Sequence, residues 1–98
     1  MENFRTYNLA VDFCRKTSAL RLPKHLMDQL KRASASVALN LAEGSGRQSL
    51  GDTKRFYHIA FGSLRECQAI LEIGCPENQP LIDLADKLAA HLYCLIKS

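Results

Sequence analysis

Ninety-eight residues, 47% hydrophobic and 23% charged, make a chain of ordinary globular composition with room for one core and one domain. No apolar run approaches the ~20 residues of a membrane-spanning helix, and the polar, mixed-charge stretch Met1–Tyr7 does not read as a secretory signal, so the expected location is the cytoplasm. The net charge of +3 is uneven: residues 1–65 hold eleven Lys/Arg and five Asp/Glu, which is +6, and residues 66–98 hold two and five, which is −3. That layout suits a basic surface meeting an anion, or a self-complementary assembly.

The first helix is predicted over 7–20, where Ala10, Phe13, Cys14 and Thr17 recur at helical spacing. Leu22-Pro23 breaks it, and Pro23 suits the first turn of a second helix over 23–43, where a missing N–H is no loss. Leu26, Leu30, Ala33, Val37 and Leu41 form the seam of that helix, with Arg32, Ser36, Asn40 and Glu43 as a polar stripe beside it. Short side chains crowd it, so a neighbouring helix can come close. Gly44 is expected to end it in the left-handed conformation, and Gly46 to let the chain turn again.

Ser49 with Asp52 is a capping-box signature for a third helix over 49–73. Phe56, Ala60, Ser63, Cys67, Ile70 and Leu71 read as its seam. Gly62 lies inside it, at a cost of roughly 1 kcal/mol against alanine, so Gly62-Ser63 is expected to meet the small residues of the second helix around Ala33. Gly74 reads as its stop, and Pro76 and Pro80 bracket a loop. The fourth helix, over 80–97, is apolar at twelve of the sixteen positions from Leu81 to Ile96. That arc is wider than the ~100° stripe of a surface helix. It predicts a subunit interface, through Leu88 and Leu92 among others; deep burial in the chain's own bundle is the alternative. No strand-like alternation appears, and short connections favour antiparallel neighbours. The expected fold is all-α, an up-down-up-down four-helix bundle.

No catalytic constellation stands out, so no enzyme activity is expected. Cys14, Cys67, Cys75 and Cys94 include no C-x-x-C pair and read as reduced small hydrophobes rather than a disulfide framework. His91 and Cys94 are three apart, but a second ligand pair for zinc is missing, so neither metal nor cofactor is expected. Gly44-Ser45-Gly46-Arg47 lacks the Lys-Ser/Thr of a phosphate loop and follows a helix rather than a strand. Two readings of the nearby charges stay open. Arg47, Lys54 and Arg55 gather near the start of the third helix, which attracts anions; or Arg47 and Arg55 pair with Glu43 or Glu66 and tie helices or subunits together. Arg32, Asn40 and Glu43 are candidates for a buried polar network that fixes register.

Two stretches carry a resemblance. A-S-V-A-L-N-L-A-E-G-S-G-R-Q-S and K-R-F-Y-H-I-A-F-G-S-L-R-E-C resemble the S-I-P-x-N-I-A-E-G-x-G-R and R-F-L-x-I-A-x-G-S-L-x-E elements of the 23S rRNA intervening-sequence protein family. The match runs through Ser36, Asn40, Ala42, Glu43, Gly44, Gly46, Arg47, Ser49, Arg55, Phe56, Ile59, Ala60, Gly62, Ser63, Leu64 and Glu66, with Ala38 where proline is frequent. The resemblance implies an antiparallel four-helix bundle, a bacterial source and a ring-shaped homopentamer. It carries over no catalytic residues. A related bundle in diversity-generating retroelements binds nucleic acid through a basic ring surface. By that likeness this chain is expected to be an accessory protein that meets RNA or DNA backbone, with Arg15, Lys16, Arg21, Lys24, Lys31, Arg47, Lys54 and Arg55 as candidate contacts. The alternative is a scaffold that binds another protein, with its charges paired between subunits.

Overall fold

The computed structural model describes residues 2–98, with side chains from Asn3 onward. They form four helices, α1 (Glu2–Ser18), α2 (Lys24–Ser45), α3 (Leu50–Gly74) and α4 (Gln79–Lys97). α1 starts ahead of the predicted Tyr7 because Thr6 is fully buried and extends the seam Thr6, Ala10, Phe13, Thr17 by a turn. Pro23 caps α2 from outside, its carbonyl accepting from the N–H groups of Leu26 and Met27. Ser49 caps α3 as predicted, its hydroxyl accepting from the Asp52 N–H at 3.1 Å, and Asn78 caps α4 through the Leu81 N–H at 3.2 Å. Each such cap contributes about 1 kcal/mol.

α1 packs on α2 and α4, and α3 packs on α2 and α4. Neither diagonal pair brings Cα atoms within 8 Å. Ser36 meets Ser63 and Gly44 lies against Phe56, so α2 and α3 run oppositely. Gln68 with Asp86, and Lys54 with Ser98, show the same for α3 and α4. Cys14 touches Ser34 while Tyr7 shares a groove with Ala42, which makes α1 antiparallel to α2. The result is an antiparallel four-helix bundle measuring 40 × 21 × 17 Å.

The core departs from the sequence reading on α3. Its buried line is Tyr57, Ala60, Leu64, Cys67 and Leu71, with Ile70 beside it. Phe56 and Ser63 lie at the edge of this line, half-buried toward α2. The breadth of the α4 arc also has an explanation within the chain. Leu81, Ala85, Leu88, Leu92 and Leu95 point inward, while Ile82, Leu84, Ala89 and Ile96 pack against the core from the flanks. Tyr93 is the large apolar residue that α4 exposes. Leu88 and Leu92 are both fully buried in the subunit, so a charge at either would unfold it rather than merely dissociate an assembly.

The glycines trade roles. No described glycine has positive φ, so Gly44 and Gly74 are not left-handed stops. α2 runs on to Ser45, and its end is closed by the Gly46 and Arg47 N–H groups bonding to the Glu43 and Gly44 carbonyls. Gly44 is instead a point of close approach between α2 and α3. A Cβ there would lie 2.9 Å from Tyr57 Cε1, 3.1 Å from Phe56 Cβ and 3.1 Å from the Thr53 carbonyl oxygen. Gly62, expected to make that contact, is exposed with nothing within 4 Å of a Cβ, although its neighbour Ser63 does meet α2. Ala33 is buried in the α2 seam.

Gly44→Ala is therefore expected to destabilise the chain by about 1–3 kcal/mol through overpacking, against a helix-propensity gain of ~1 kcal/mol. Urea unfolding measures the difference. An unchanged or raised midpoint would mean that α2 and α3 are not in close contact at this point.

Candidate functional site at the α2–α3 turn

The family-like residues converge on the seam between α2 and α3 and on the turn that joins them. Near the middle of the seam, the Ser36 and Ser63 hydroxyls lie 2.8 Å apart. Asn40 Nδ2 donates to the Ser36 carbonyl at 2.8 Å and to Ser36 Oγ at 3.0 Å. All three side chains are half-buried, and no buried side-chain polar atom among the described residues lacks a partner. This small network differs from the expected one. Arg32 and Glu43 are both exposed and take no part in it, because they sit farther round α2 from the core than Asn40 does.

A turn closer to the bundle end, Glu43 Oε2 holds Arg47 Nη2 at 2.7 Å across the end of α2. The Arg47 guanidinium carbon stands 4.7 Å from the centre of the Phe56 ring, and that of Arg55 stands at 4.7 Å from the same ring. Asp52 flanks Arg55 at 3.6 Å, so the partner of Arg55 is Asp52, not Glu43 or Glu66. Two guanidiniums thus share one aromatic ring, each tethered by one carboxylate. Cation–π contacts of this kind are worth about 0.5–1 kcal/mol at exposed sites, and they restrain long side chains that would otherwise wave in solvent. Lys54 is half-buried and reaches the Ser98 carbonyl at 3.4 Å. Sequence reading assigned Phe56 to the core and so missed it as the shared ring. The signal was present in the 3-4-3-4 spacing of Tyr57, Ala60, Leu64, Cys67 and Leu71, which leaves Phe56 off the seam.

The other candidate cations stand elsewhere. Arg15 and Lys16 lie in the last turns of α1, Arg21 in the linker and Lys24 and Lys31 in the first half of α2, toward the opposite end of the 40 Å bundle. All five are exposed. Lys16 pairs with Asp12 at 3.2 Å and Lys24 with Asp28 at 2.8 Å. The bond to Asp28 raises the Lys24 pKa and lowers that of Asp28, both in open solvent. Arg15, Arg21 and Lys31 make no ion pair among the described residues. The eight candidates therefore form two separate groups, not one surface. Glu66 is exposed on α3.

No group of three or more His, Cys, Asp or Glu among the described residues is arranged to hold a metal ion. Cys14 on α1 and Cys67 on α3 belong to a diagonal helix pair, and among the described residues α1 and α3 bring no Cα atoms within 8 Å. A disulfide needs about 7 Å or less. Burial pushes the Cys67 thiol up to about 12, with Glu66 and Cys14 adding to the shift, so it stays protonated and a poor nucleophile. No described helix is long and apolar enough to cross a membrane.

With this geometry in place, three comparisons bear on the chain. The family model for the 23S rRNA-intervening sequence protein matches residues 2–95. The chain belongs to this family. A crystal structure of a protein with unknown function from the S23 ribosomal protein family of Bacteroides thetaiotaomicron superposes with a TM-score of 0.88, covering 100% of both chains at 16% identity. Likeness at that identity speaks for the fold alone. No curated protein matches. The Ser36–Asn40–Ser63 network and the Arg47–Phe56–Arg55 stack thus lie on the two sequence elements by which the chain resembles its family.

Because the unfolded Cys67 thiol would titrate near ~8.5 and the folded one near 12, this group stabilises the fold below the lower value and loses that contribution as pH rises toward the upper one. At mildly alkaline pH, iodoacetamide is expected to alkylate the exposed Cys94 and spare Cys67 until denaturant is added. Peptide mapping showing equal rates at both would contradict the buried, protonated state.

Proposed function

We propose that this chain is a non-enzymatic, self-associating accessory protein that contacts nucleic-acid backbone through the α2–α3 turn. One observation carries the reading: Arg47 and Arg55 are held on the single Phe56 ring at an end of the bundle, with Lys54 beside them. Guanidiniums suit phosphate because their planar fork offers two parallel donors, and a fixed fork loses less entropy on binding than a free one. Glu43 and Asp52 occupy part of each fork and leave further N–H groups for a phosphate. Repetition of the turn around an assembly would multiply a weak contact by raising the effective concentration of each next one. The opposite end also carries cations, of which Lys16 and Lys24 are paired and Arg15, Arg21 and Lys31 are not, but among the described residues no aromatic ring fixes any of them in place.

The competing reading is a scaffold for another protein, favoured by those same carboxylates, which make the turn a set of tethered ion pairs. The two separate cleanly. Electrophoretic shift assays with single-stranded and duplex RNA and DNA are expected to show binding at micromolar protein that falls steeply with salt, and Arg47→Glu with Arg55→Glu is expected to abolish it. An unshifted probe at low salt, or an equal shift by the double variant, would remove the nucleic-acid reading; affinity capture of one protein without nucleic acid would then support the scaffold.

A further inference from the structure

The hydrogen bonds of the α2–α3 seam leave a remainder that the fold does not use. Asn40 Nδ2 donates to the Ser36 carbonyl at 2.8 Å and to Ser36 Oγ at 3.0 Å, so both of its protons are spent within α2. A carbonyl only accepts, which fixes the amide this way round and turns Oδ1 away from Ser36. Among the described residues Oδ1 has no partner, and no buried side-chain polar atom is unpaired, so Oδ1 meets solvent. Across the seam, the Ser63 hydroxyl bonds to Ser36 alone among the described residues. Whichever of the two serines donates, Ser63 keeps a proton or a lone pair to spare. From Ser63 toward the turn, Ile59 and then Phe56 follow at four and three residues on the same face of α3. Ile59 is 42% exposed, although Ser63 and Phe56 on either side of it are half-buried. Gly62 is exposed and a Cβ there would meet nothing within 4 Å, so α3 puts no side chain over this part of the rim. Asn40 stands seven residues from Arg47, and Ser63 seven from Phe56, which is two turns or on the order of 10 Å along each helix.

We infer that this stretch of seam seats an unpaired base of a strand whose phosphate lies on the Arg47–Phe56–Arg55 stack, so that the ligand is single-stranded nucleic acid. This rests on the backbone contact proposed above and names the state of the strand. Two turns of helix match the reach from a backbone phosphate to the Watson–Crick edge of its base. That edge carries an N–H on every base: the amino group of adenine and cytosine, the ring N–H of thymine and uracil, and both in guanine. Asn40 Oδ1 accepts from any of them, Ser63 gives or takes a second bond, and Ile59 offers apolar surface to the ring. In a duplex these donors are spent on the opposite strand, and what remains lies at the floor of a groove. A half-buried acceptor between two helices does not reach it, whereas an unpaired base can be splayed out to meet the acceptor. Recognition is thereby of strand state and not of sequence. Glu66, three residues beyond Ser63 on the side away from the turn, is exposed and repels phosphate. The contact therefore spans the turn and the adjoining half of the seam.

Fluorescence anisotropy at low salt tests this on the full chain, with three labelled probes of equal length: a mixed-sequence single-stranded DNA, its duplex, and a single strand with abasic sugars throughout. The single strand is expected to bind about tenfold tighter than either of the others, the weight of one or two net hydrogen bonds. Asn40→Ala removes the acceptor, and Gly62→Leu hangs a side chain over the rim. Each is expected to bring the ratio of single-strand to abasic affinity close to one. Far-ultraviolet circular dichroism checks that the variants stay helical. Gly62→Leu, whose side chain meets open space in the subunit, decides the matter where Asn40→Ala loses helicity. Binding of no probe by the wild type overturns the nucleic-acid reading itself, and this inference with it. Equal binding of the three probes, or tightest binding of the duplex, leaves the turn as a backbone contact and overturns the seated base. A ratio that keeps its wild-type value in helical Gly62→Leu overturns it too. So does loss of abasic binding in that variant, since the change would then act on the turn, and so does loss of its helicity, since Gly62 would then serve the fold.

Discussion

The close approach of α2 and α3 at Gly44 is the constraint on which the site depends. With no side chain at that point, the Tyr57 ring and the Thr53 carbonyl can lie where a Cβ would otherwise stand. Tyr57 thereby enters the core, and its neighbour Phe56 is turned to the seam edge, where both arginines reach it. The same approach brings Ser36 and Ser63 within 2.8 Å. A larger residue at Gly44 would push the helices apart at their turn end, and the arginine stack and the serine–asparagine network would loosen together. Fold and site therefore rest on one contact.

Charge in this molecule is organised by height rather than by net value. The α2–α3 turn carries Arg47, Lys54 and Arg55 against Glu43 and Asp52. Lower down, the α1–α2 side is basic through Arg15, Arg21 and Lys31, while α3 and α4 carry Glu66, Glu72, Asp83 and Asp86. A net charge of +3 conceals this. Coulomb forces between exposed groups fade beyond about 8–10 Å at physiological salt, so the turn and the lower flank act as separate surfaces.

Much of the architecture was legible in the sequence. Helix number, order and the Ser49 cap followed from hydrophobic period and capping chemistry, which are local. The α2 seam from Leu30 to Leu41 followed for the same reason. Glycine was less legible, since glycine serves a left-handed turn, a close contact or an outer face equally well; only the partner helix distinguishes Gly44 from Gly62. The α3 seam was misread by one position at Phe56 and Ser63 because both neighbours, Tyr57 and Leu64, are also apolar. Arg32 looked like a network member because it shares the stripe of Ser36 and Asn40, yet α3 covers only a portion of that stripe. The α4 arc was read as too wide for a lone bundle, but α1 and α3 cover its flanks from both sides.

Native-state hydrogen exchange tests the primacy of the α2–α3 contact most directly. If that contact holds the fold together, amides of Val37–Leu41 on α2 and of Ala60–Leu64 on α3 exchange only through global unfolding, while those in the first turns of α1 exchange sooner. Exchange in the two α2–α3 segments as fast as at the start of α1 would contradict it.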